Sequence, residues 1–324
     1  YIPAAGVTDE WMDYSGGCES VGKFKCYREW SVREGLPEPA RIPSVSERFD
    51  VPHAGTLRDP EKNSDALRYW RFHSEFIAES IADFAKLIRR HLLSPKDIGV
   101  FYGYILELCY CRLVQCGHLA YEKLLASGEI DFLISPGSYS DRPMGGFGGF
   151  MMPNGTVHRY GKRYMHECDQ RTHTANMQIT PHVALNGAGR WFNTREDIAG
   201  VRREFARSLI HGTSLWMFDM WGQFYVEPEI LRTIGRCREI WEEFDDENNQ
   251  PDAEVAFIVD PDSAFYVNDA APEPKPGHFT IYKLHHILRF ANVLGAPYRV
   301  YSFNDLPEIR DLDRFKLVIF PGLF

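Results

Sequence analysis

Two glutamates are set apart from the other acidic residues by where they sit. Glu10 follows the short apolar run Tyr1-Ile2-Pro3-Ala4-Ala5-Gly6 and lies in Gly6-Val7-Thr8-Asp9-Glu10-Trp11, while Glu167 ends the run Arg163-Tyr164-Met165-His166-Glu167. A carboxylate at the end of a strand faces whatever the sheet end encloses. Two such groups across one gap can break an acetal: one protonates the departing oxygen, the other attacks or supports the cationic anomeric carbon, and a retaining pair stands about 5 Å apart. The working expectation is that Glu10, with a raised pKa, is the general acid/base and that Glu167 stays ionised as the nucleophile. Either one alone has a plainer alternative, because the chain carries 45 acidic residues and most such groups are solvated or salt-bridged.

Other residues near the strand ends suit the same chemistry. Trp216 offers a flat apolar face on which a pyranose ring stacks, with core filling as its alternative. Trp11, Tyr104, Asp219 and Trp221 are further pocket candidates, each with a structural alternative. Arg171, four residues beyond Glu167, either favours that group's charged form, binds substrate, or pairs with Asp169. Tyr139 either orients Glu167 by a hydrogen bond or packs as a loop tyrosine. Cys109, Cys111, Cys116 and His118 have a spacing that zinc accepts, but no paired C-x-x-C; free buried thiols are favoured, and neither a metal nor another cofactor is expected. His118 alternatively approaches the site. Cys168 reads as a small buried residue. The stretch Gly145-Gly146-Phe147-Gly148-Gly149 lacks a following Lys-Ser/Thr, so it reads as a flexible loop at the site's rim rather than a phosphate cradle.

The elements that must position these groups alternate. Residues 1–6 read as a strand, 23–34 as a short helix, and 64–92 as a long helix whose Ile77, Ile81, Phe84 and Ile88 share one face. Strands follow at 98–102, 131–135, 163–167 and 214–218. Helices lie at 119–126, at 194–210 capped by Thr194, and at 228–244; the span 136–155 is a loop. Alternating units of this kind predict a parallel sheet covered by helices, with the site at the C-terminal strand ends. After the polar linker 245–250 the pattern restarts with a strand at 254–259, a helix at 279–294, and strands at 298–301 and 316–321, the opening of a doubly wound domain. The expected division is 1–247 and 248–324.

Composition limits the partners. The 324 residues are 44% hydrophobic, 25% charged and 14% aromatic, with a net charge of −9. That is globular, with material for two domains. The negative balance and the lack of a basic run argue against nucleic acid and anionic membranes, and no apolar run is long enough to span a bilayer. Seven scattered cysteines do not form a disulfide framework, which favours a reducing cytoplasm.

Several segments resemble one family in order. Ala5-Gly6-Val7-Thr8-Asp9-Glu10-Trp11 is similar to the acid/base segment of proteins like glycoside hydrolase family 42. Gly55-Thr56-Leu57-Arg58-Asp59-Pro60, Phe101-Tyr102-Gly103-Tyr104, Ser135-Pro136-Gly137-Ser138-Tyr139, His166-Glu167-Cys168-Asp169-Gln170-Arg171-Thr172-His173 and Trp216-Met217-Phe218-Asp219-Met220-Trp221-Gly222 resemble later barrel segments of that family. Residues 253–324 resemble the flavodoxin-like trimerisation domain that follows such barrels.

The resemblance implies an α/β chain: the C-terminal part of a clan-A (β/α)8 TIM barrel, strands four to eight, then a truncated flavodoxin-like doubly wound domain. It implies a retaining, exo-acting, β-galactosidase-like enzyme acting on a glycoside or oligosaccharide, with Glu10 and Glu167 at the acid/base and nucleophile positions, and a homotrimeric full-length parent. Where the family carries Asn before the acid/base, this chain has Asp9, which points to altered handling of the sugar 2-hydroxyl. The related β-mannosidases, and a non-catalytic carbohydrate-binding relative, are the alternatives. A dinucleotide or flavin protein ranks last, since no Gly-x-Gly-x-x-Gly follows Val259. Five barrel strands alone would expose two sheet edges, so the isolated 324 residues are expected to be poorly soluble or inactive.

Overall fold

A computed structural model describes residues 1–3, 10–12, 19–49, 57–107, 113–139, 142–146, 148–176, 190–220, 222–244, 252–266, 290–293 and 295–321. In chain order the helices are α1 Val21–Arg33, α2 Val45–Phe49, α3 Ser64–His91, α4 Leu113–Cys116, α5 Tyr121–Ala126, α6 Asn154–Arg159, α7 Thr194–Ile210, α8 Pro228–Phe244 and α9 Ser263–Tyr266. The strands are β1 Gly99–Phe101, β2 Phe132–Pro136, β3 Arg163–Cys168, β4 Ser214–Met217, β5 Val255–Val259, β6 Tyr298–Ser302 and β7 Leu317–Ile319. The chain is mixed α/β, and among the described residues the paired strands β1–β7 all run parallel to their neighbours.

β1 to β4 form one sheet in chain order. The register sets Phe101 beside Ile134, Pro136 beside Glu167, and Glu167 beside Trp216. Side chains alternate between faces, so Glu167 and Trp216 share one face while Leu215 and Met217 take the other. Leu215 and Met217 pack into a cluster with Trp191, Val201, Phe205 and Ile230, beneath α7 and α8. On the opposite face, the rings of Phe101 and Trp216, from the two end strands, meet at 6.2 Å. Flat strands about 4.8 Å apart would set β1 and β4 about 14 Å apart, with side chains upright and out of touch. The contact therefore requires the sheet to curl, with Glu167 and Trp216 on its concave face. Gly99 serves the same face: a Cβ there would stand 2.1 Å from the Phe132 ring, which fills that space.

The helix starts follow from local chemistry, with one correction. α7 is capped by Asn193, whose side chain accepts from the Glu196 amide at 3.0 Å, and not by Thr194. The Glu196 carboxylate reaches back to the Phe192 amide at 2.9 Å, so two amides at the helix start are satisfied reciprocally. In α3 the buried seam runs through Ala78, Ile81, Ala82 and Ala85, while Phe84 is half exposed. Small residues let this helix lie close on the core, and Phe84 sits at the margin of the seam. α2 and α6 were not evident in the sequence; α6 begins at Asn154, inside the span read as a loop.

The second sheet has the order β6-β5-β7. Central β5 is buried on both faces, as its unbroken Val-Ala-Phe-Ile-Val run requires. Phe257 and Val259 join the main core, while Ala256 and Ile258 join Tyr301 and Phe315. Polar contacts tie this sheet to the first unit. Fully buried Asp305 accepts from Thr156 Oγ1 at 2.6 Å and pairs with Arg159, and Arg58 Nη1 donates to the Phe265 carbonyl at 2.8 Å.

At the N-terminus, residues 1–3 form no strand, and residues 4–9 of the expected strand lie outside the described residues. Tyr1 nevertheless borders β1: its amino group donates to the Asp97 carbonyl and its carbonyl accepts from the Gly99 amide at 2.9 Å. Of the expected helix over 279–294, residues 290–293 are helical and 279–289 and 294 are outside the described residues, as is the linker 245–250. Among the described residues no helix is long and apolar enough to cross a membrane.

Candidate active site

Glu167 lies at the C-terminal end of β3, only 4% exposed. Its strand neighbour Trp216 is half-buried, with one ring face stacked on Phe218 at 4.5 Å and 28°. A buried carboxylate beside an indole plate is the pairing a sugar site needs: a group that acts on the anomeric centre and a surface that holds the ring.

Glu10 is positioned by a residue whose role the sequence left open. The carbonyl of Glu10 accepts from His118 Nε2 at 2.8 Å, and His118 Nδ1 accepts from the Gly103 and Tyr104 amides at 3.2 Å each. Two amide donors on Nδ1 require that nitrogen to be the acceptor, so the proton sits on Nε2. His118 is fully buried, and burial pushes its pKa down to about 3. The rings of Tyr102 and Tyr104 enclose it at 4.6 and 4.9 Å.

This depressed imidazole has a consequence for stability. The unfolded chain takes up a proton near pH 6.5 that the folded chain refuses until about pH 3. The stabilisation is therefore full above pH ~6.5 and is lost as pH falls through that window, on the order of 4–5 kcal/mol. His166 and His211, also held low chiefly by burial, act in the same direction. Denaturant unfolding followed from neutral to acid pH is expected to show this loss; a flat profile would contradict the buried neutral state.

Tyr104, whose amide meets His118, is buried with its own polar end. It is 1% exposed, and its hydroxyl has no hydrogen-bond partner among the described residues. Burial, then the charges of Glu10 and Glu167, raise its pKa well above the usual phenol value.

The rim of the site is built on a buried ion pair. Arg142 Nη2 meets Asp169 Oδ1 at 2.5 Å, and the guanidinium lies 3.8 Å over the Tyr139 ring. The Tyr139 hydroxyl donates to Asp169 Oδ2 at 3.2 Å, and its amide donates to Glu107 Oε1 at 3.1 Å. Burial works against the charge on Arg142, but the Asp169 carboxylate beside it outweighs that cost and raises its pKa above the usual guanidinium value. The loop bearing Arg142 is clamped from α7: Arg203 donates to the carbonyls of Arg142, Pro143 and Gly146 at 3.0, 3.2 and 2.7 Å. The stretch read as a flexible loop is therefore anchored over its described residues. Arg142 was missed in the sequence, although it is the one Lys or Arg between 136 and 155.

The remaining candidates divide by position. The Trp11 indole donates to the Pro3 carbonyl at 3.0 Å and packs edge-on against Phe84 of α3. Asp219 is exposed and accepts from the Phe224 amide at 3.1 Å, closing a turn. Arg171 is 6% exposed, with its guanidinium 5.9 Å from the Phe224 ring. Asp9 and Trp221 lie outside the described residues.

Behind β3, buried His166 pairs with Glu204 at 2.9 Å, and Glu204 with Arg203 and Arg207, which outweigh burial and hold its carboxyl below the usual range. This network fastens β3 to α7. Cys168 is 2% exposed, and burial pushes its thiol up to about 12, which fits a packing role. Among the described residues no cluster suits a metal; Cys109 and Cys111 are outside them. A separate cavity of about 270 Å³ lies between the rim loop, α7 and Tyr298, and its lining includes neither Glu10 nor Glu167.

No family model matches the chain, and no curated protein does. Among solved structures, the chain is similar to GH5_18 from Bifidobacterium longum subsp. longum, at 11% identity and a TM-score of 0.36, over 96% of this chain and 85% of that one. It is also similar to a variant of that protein in complex with Manb1-4GlcNAc, at 10% identity and a TM-score of 0.35, over 96% and 84% of the two chains. At those TM-scores the likeness decides nothing about the site.

Proposed function

We propose that the chain belongs to a retaining, exo-acting β-glycosidase, β-galactosidase-like in substrate, with Glu10 as acid/base and Glu167 as nucleophile. The observation that carries this is the buried Glu167 carboxylate at the end of β3, in register with the Trp216 plate, with the Glu10 backbone tied through His118 to the backbone of Tyr104. In the first step the Glu10 carboxyl gives its proton to the glycosidic oxygen. The Glu167 carboxylate attacks the anomeric carbon, and the aglycone leaves as an alcohol. In the second step Glu10, now a carboxylate, takes a proton from water as the water oxygen displaces Glu167 from the sugar. Trp216 holds the ring, and the Arg142–Asp169–Tyr139 assembly fixes the rim.

The in-order parallel sheet, curled with helices outside, supports an arc of a (β/α)8 barrel. The order of the second sheet, with its first strand between its second and third, supports the flavodoxin-like arrangement. A trimer of the full-length protein is part of the same proposal. Asp9, where the resembled family has Asn, keeps a β-mannosidase as the second reading.

The test is hydrolysis by the full-length protein of aryl β-galactoside, β-mannoside, β-glucoside and α-arabinoside. Turnover of one with net retention supports the proposal. Sugar binding with no hydrolysis of any would instead favour the carbohydrate-binding relative. Glu10→Ala is expected to slow substrates with poor leaving groups by about 10²–10⁴-fold. Activated aryl glycosides keep their first step, and azide restores turnover by yielding a β-glycosyl azide. Equal losses on both kinds of substrate, with no azide product, would remove Glu10 from the acid/base role.

A further inference from the structure

We propose that His118 is the positioning residue of the acid/base: its imidazole sets the direction of the Glu10 carboxyl by holding the peptide that follows it. The inference rests on the glycosidase reading above and assigns to that site a residue that touches no substrate. Glu10 belongs to the segment before α1, and His118 lies in the turn between α4 and α5. His118 spans the two with one ring, donating from Nε2 to the Glu10 carbonyl and receiving the Gly103 and Tyr104 amides on Nδ1. The Glu10 backbone and the Tyr104 backbone are thereby fixed to one rigid group. Tyr104 is also the residue whose phenol lies in the field of both Glu10 and Glu167.

The peptide so held is constrained at its other end as well. Trp11 has φ +56°, a left-handed conformation that a bulky side chain rarely adopts. It is held there by the bond from its indole to the Pro3 carbonyl and by its packing on Phe84. The plane between Glu10 and Trp11 is therefore set from both sides, by His118 on the carbonyl and by Trp11 on the amide. A neutral imidazole does both at once, donating from Nε2 on one edge and accepting on Nδ1 at the other.

The test uses the full-length protein and pairs of aryl and alkyl glycosides of the sugar it hydrolyses. His118→Asn keeps an acceptor for the two amides but loses the reach to Glu10. It is expected to lower kcat/KM on a poor-leaving-group substrate by about 10²-fold while changing a dinitrophenyl glycoside little. His118→Gln keeps an N–H at the longer reach and is expected to recover part of that ratio. A merely structural role would lower both substrates together, and that result would overturn the proposal. If the variants fail to fold, ¹⁵N spectra of the wild-type imidazole decide it: a neutral ring protonated on Nε2 from about pH 8 to pH 5 is expected, and a proton on Nδ1 or titration in that range overturns it. Absence of any hydrolysis by the wild type would instead remove the glycosidase reading.

Discussion

Glu167→Gln is expected to lower turnover by about 10⁴-fold or more while the chain stays folded. The substitution preserves shape in a position only 4% exposed, so it removes the nucleophile without opening a cavity. An amide oxygen does not form the glycosyl ester, and the adjacent Cys168 does not replace it: strand alternation turns it to the other face of β3, and burial keeps its thiol protonated. The second substitution that defines the role is Glu167→Gly with azide. It is expected to give an α-glycosyl azide, the opposite anomer to that from Glu10→Ala, because azide then enters from the nucleophile's side. Steady-state rates on the preferred aryl glycoside and the anomer of the azide product check this. Near-normal turnover by a folded Glu167→Gln protein would contradict it.

Arg142→Met is expected to cost about 3–5 kcal/mol of folding stability, because it leaves the Asp169 carboxylate buried without its counter-charge. Arg142 and Asp169 are both nearly inaccessible, with side chains 5% and 2% exposed. Among the described residues Tyr139 is then the side chain that hydrogen-bonds the carboxylate, and it loses the guanidinium that covers its ring. The rim loop has further anchors in Arg203, so the loss falls on the pair more than on the loop. Adding Asp169→Asn should recover a large part of the lost stability, since the damage comes from the orphaned charge. Denaturant midpoints of the wild type, both single variants and the double variant measure this. A single variant within about 1 kcal/mol of wild type, the range of an exposed ion pair, would show that the pair is not buried in solution.

Periodicity made the scaffold legible. Strands at 98–102, 131–135, 163–167 and 214–218 and helices at 64–92, 194–210 and 228–244 are seen within a few residues, because long apolar patterns bounded by Gly and Pro leave little choice. Short elements were not legible: α2 and α6 have too few turns to show a period, and Asn193 and Thr194 are both acceptable caps until the backbone selects one.

Within the candidate site, Glu167 and Trp216 were legible as strand-end residues, and the register sets them side by side on β3 and β4. The partners could not be read in the same way. Arg171 is the cation nearest to Asp169 in sequence, but the group that meets it is Arg142, from a loop that folds back across the strand end. For His118 the spacing from Cys109, Cys111 and Cys116 left zinc, free thiols beside it, or an approach to the site as alternatives. Its actual partners are three backbone groups, and backbone groups leave no trace in residue identity.

The central claim is that Glu167 forms a covalent bond to the anomeric carbon. Incubating the full-length protein with 2-deoxy-2-fluoro glycosyl fluorides of the galacto and manno series, followed by peptide mass spectrometry, tests it directly. The expected result is one added sugar per chain, on the peptide carrying Glu167, with activity lost in step with labelling. A label on another residue while hydrolysis proceeds with retention would contradict the account.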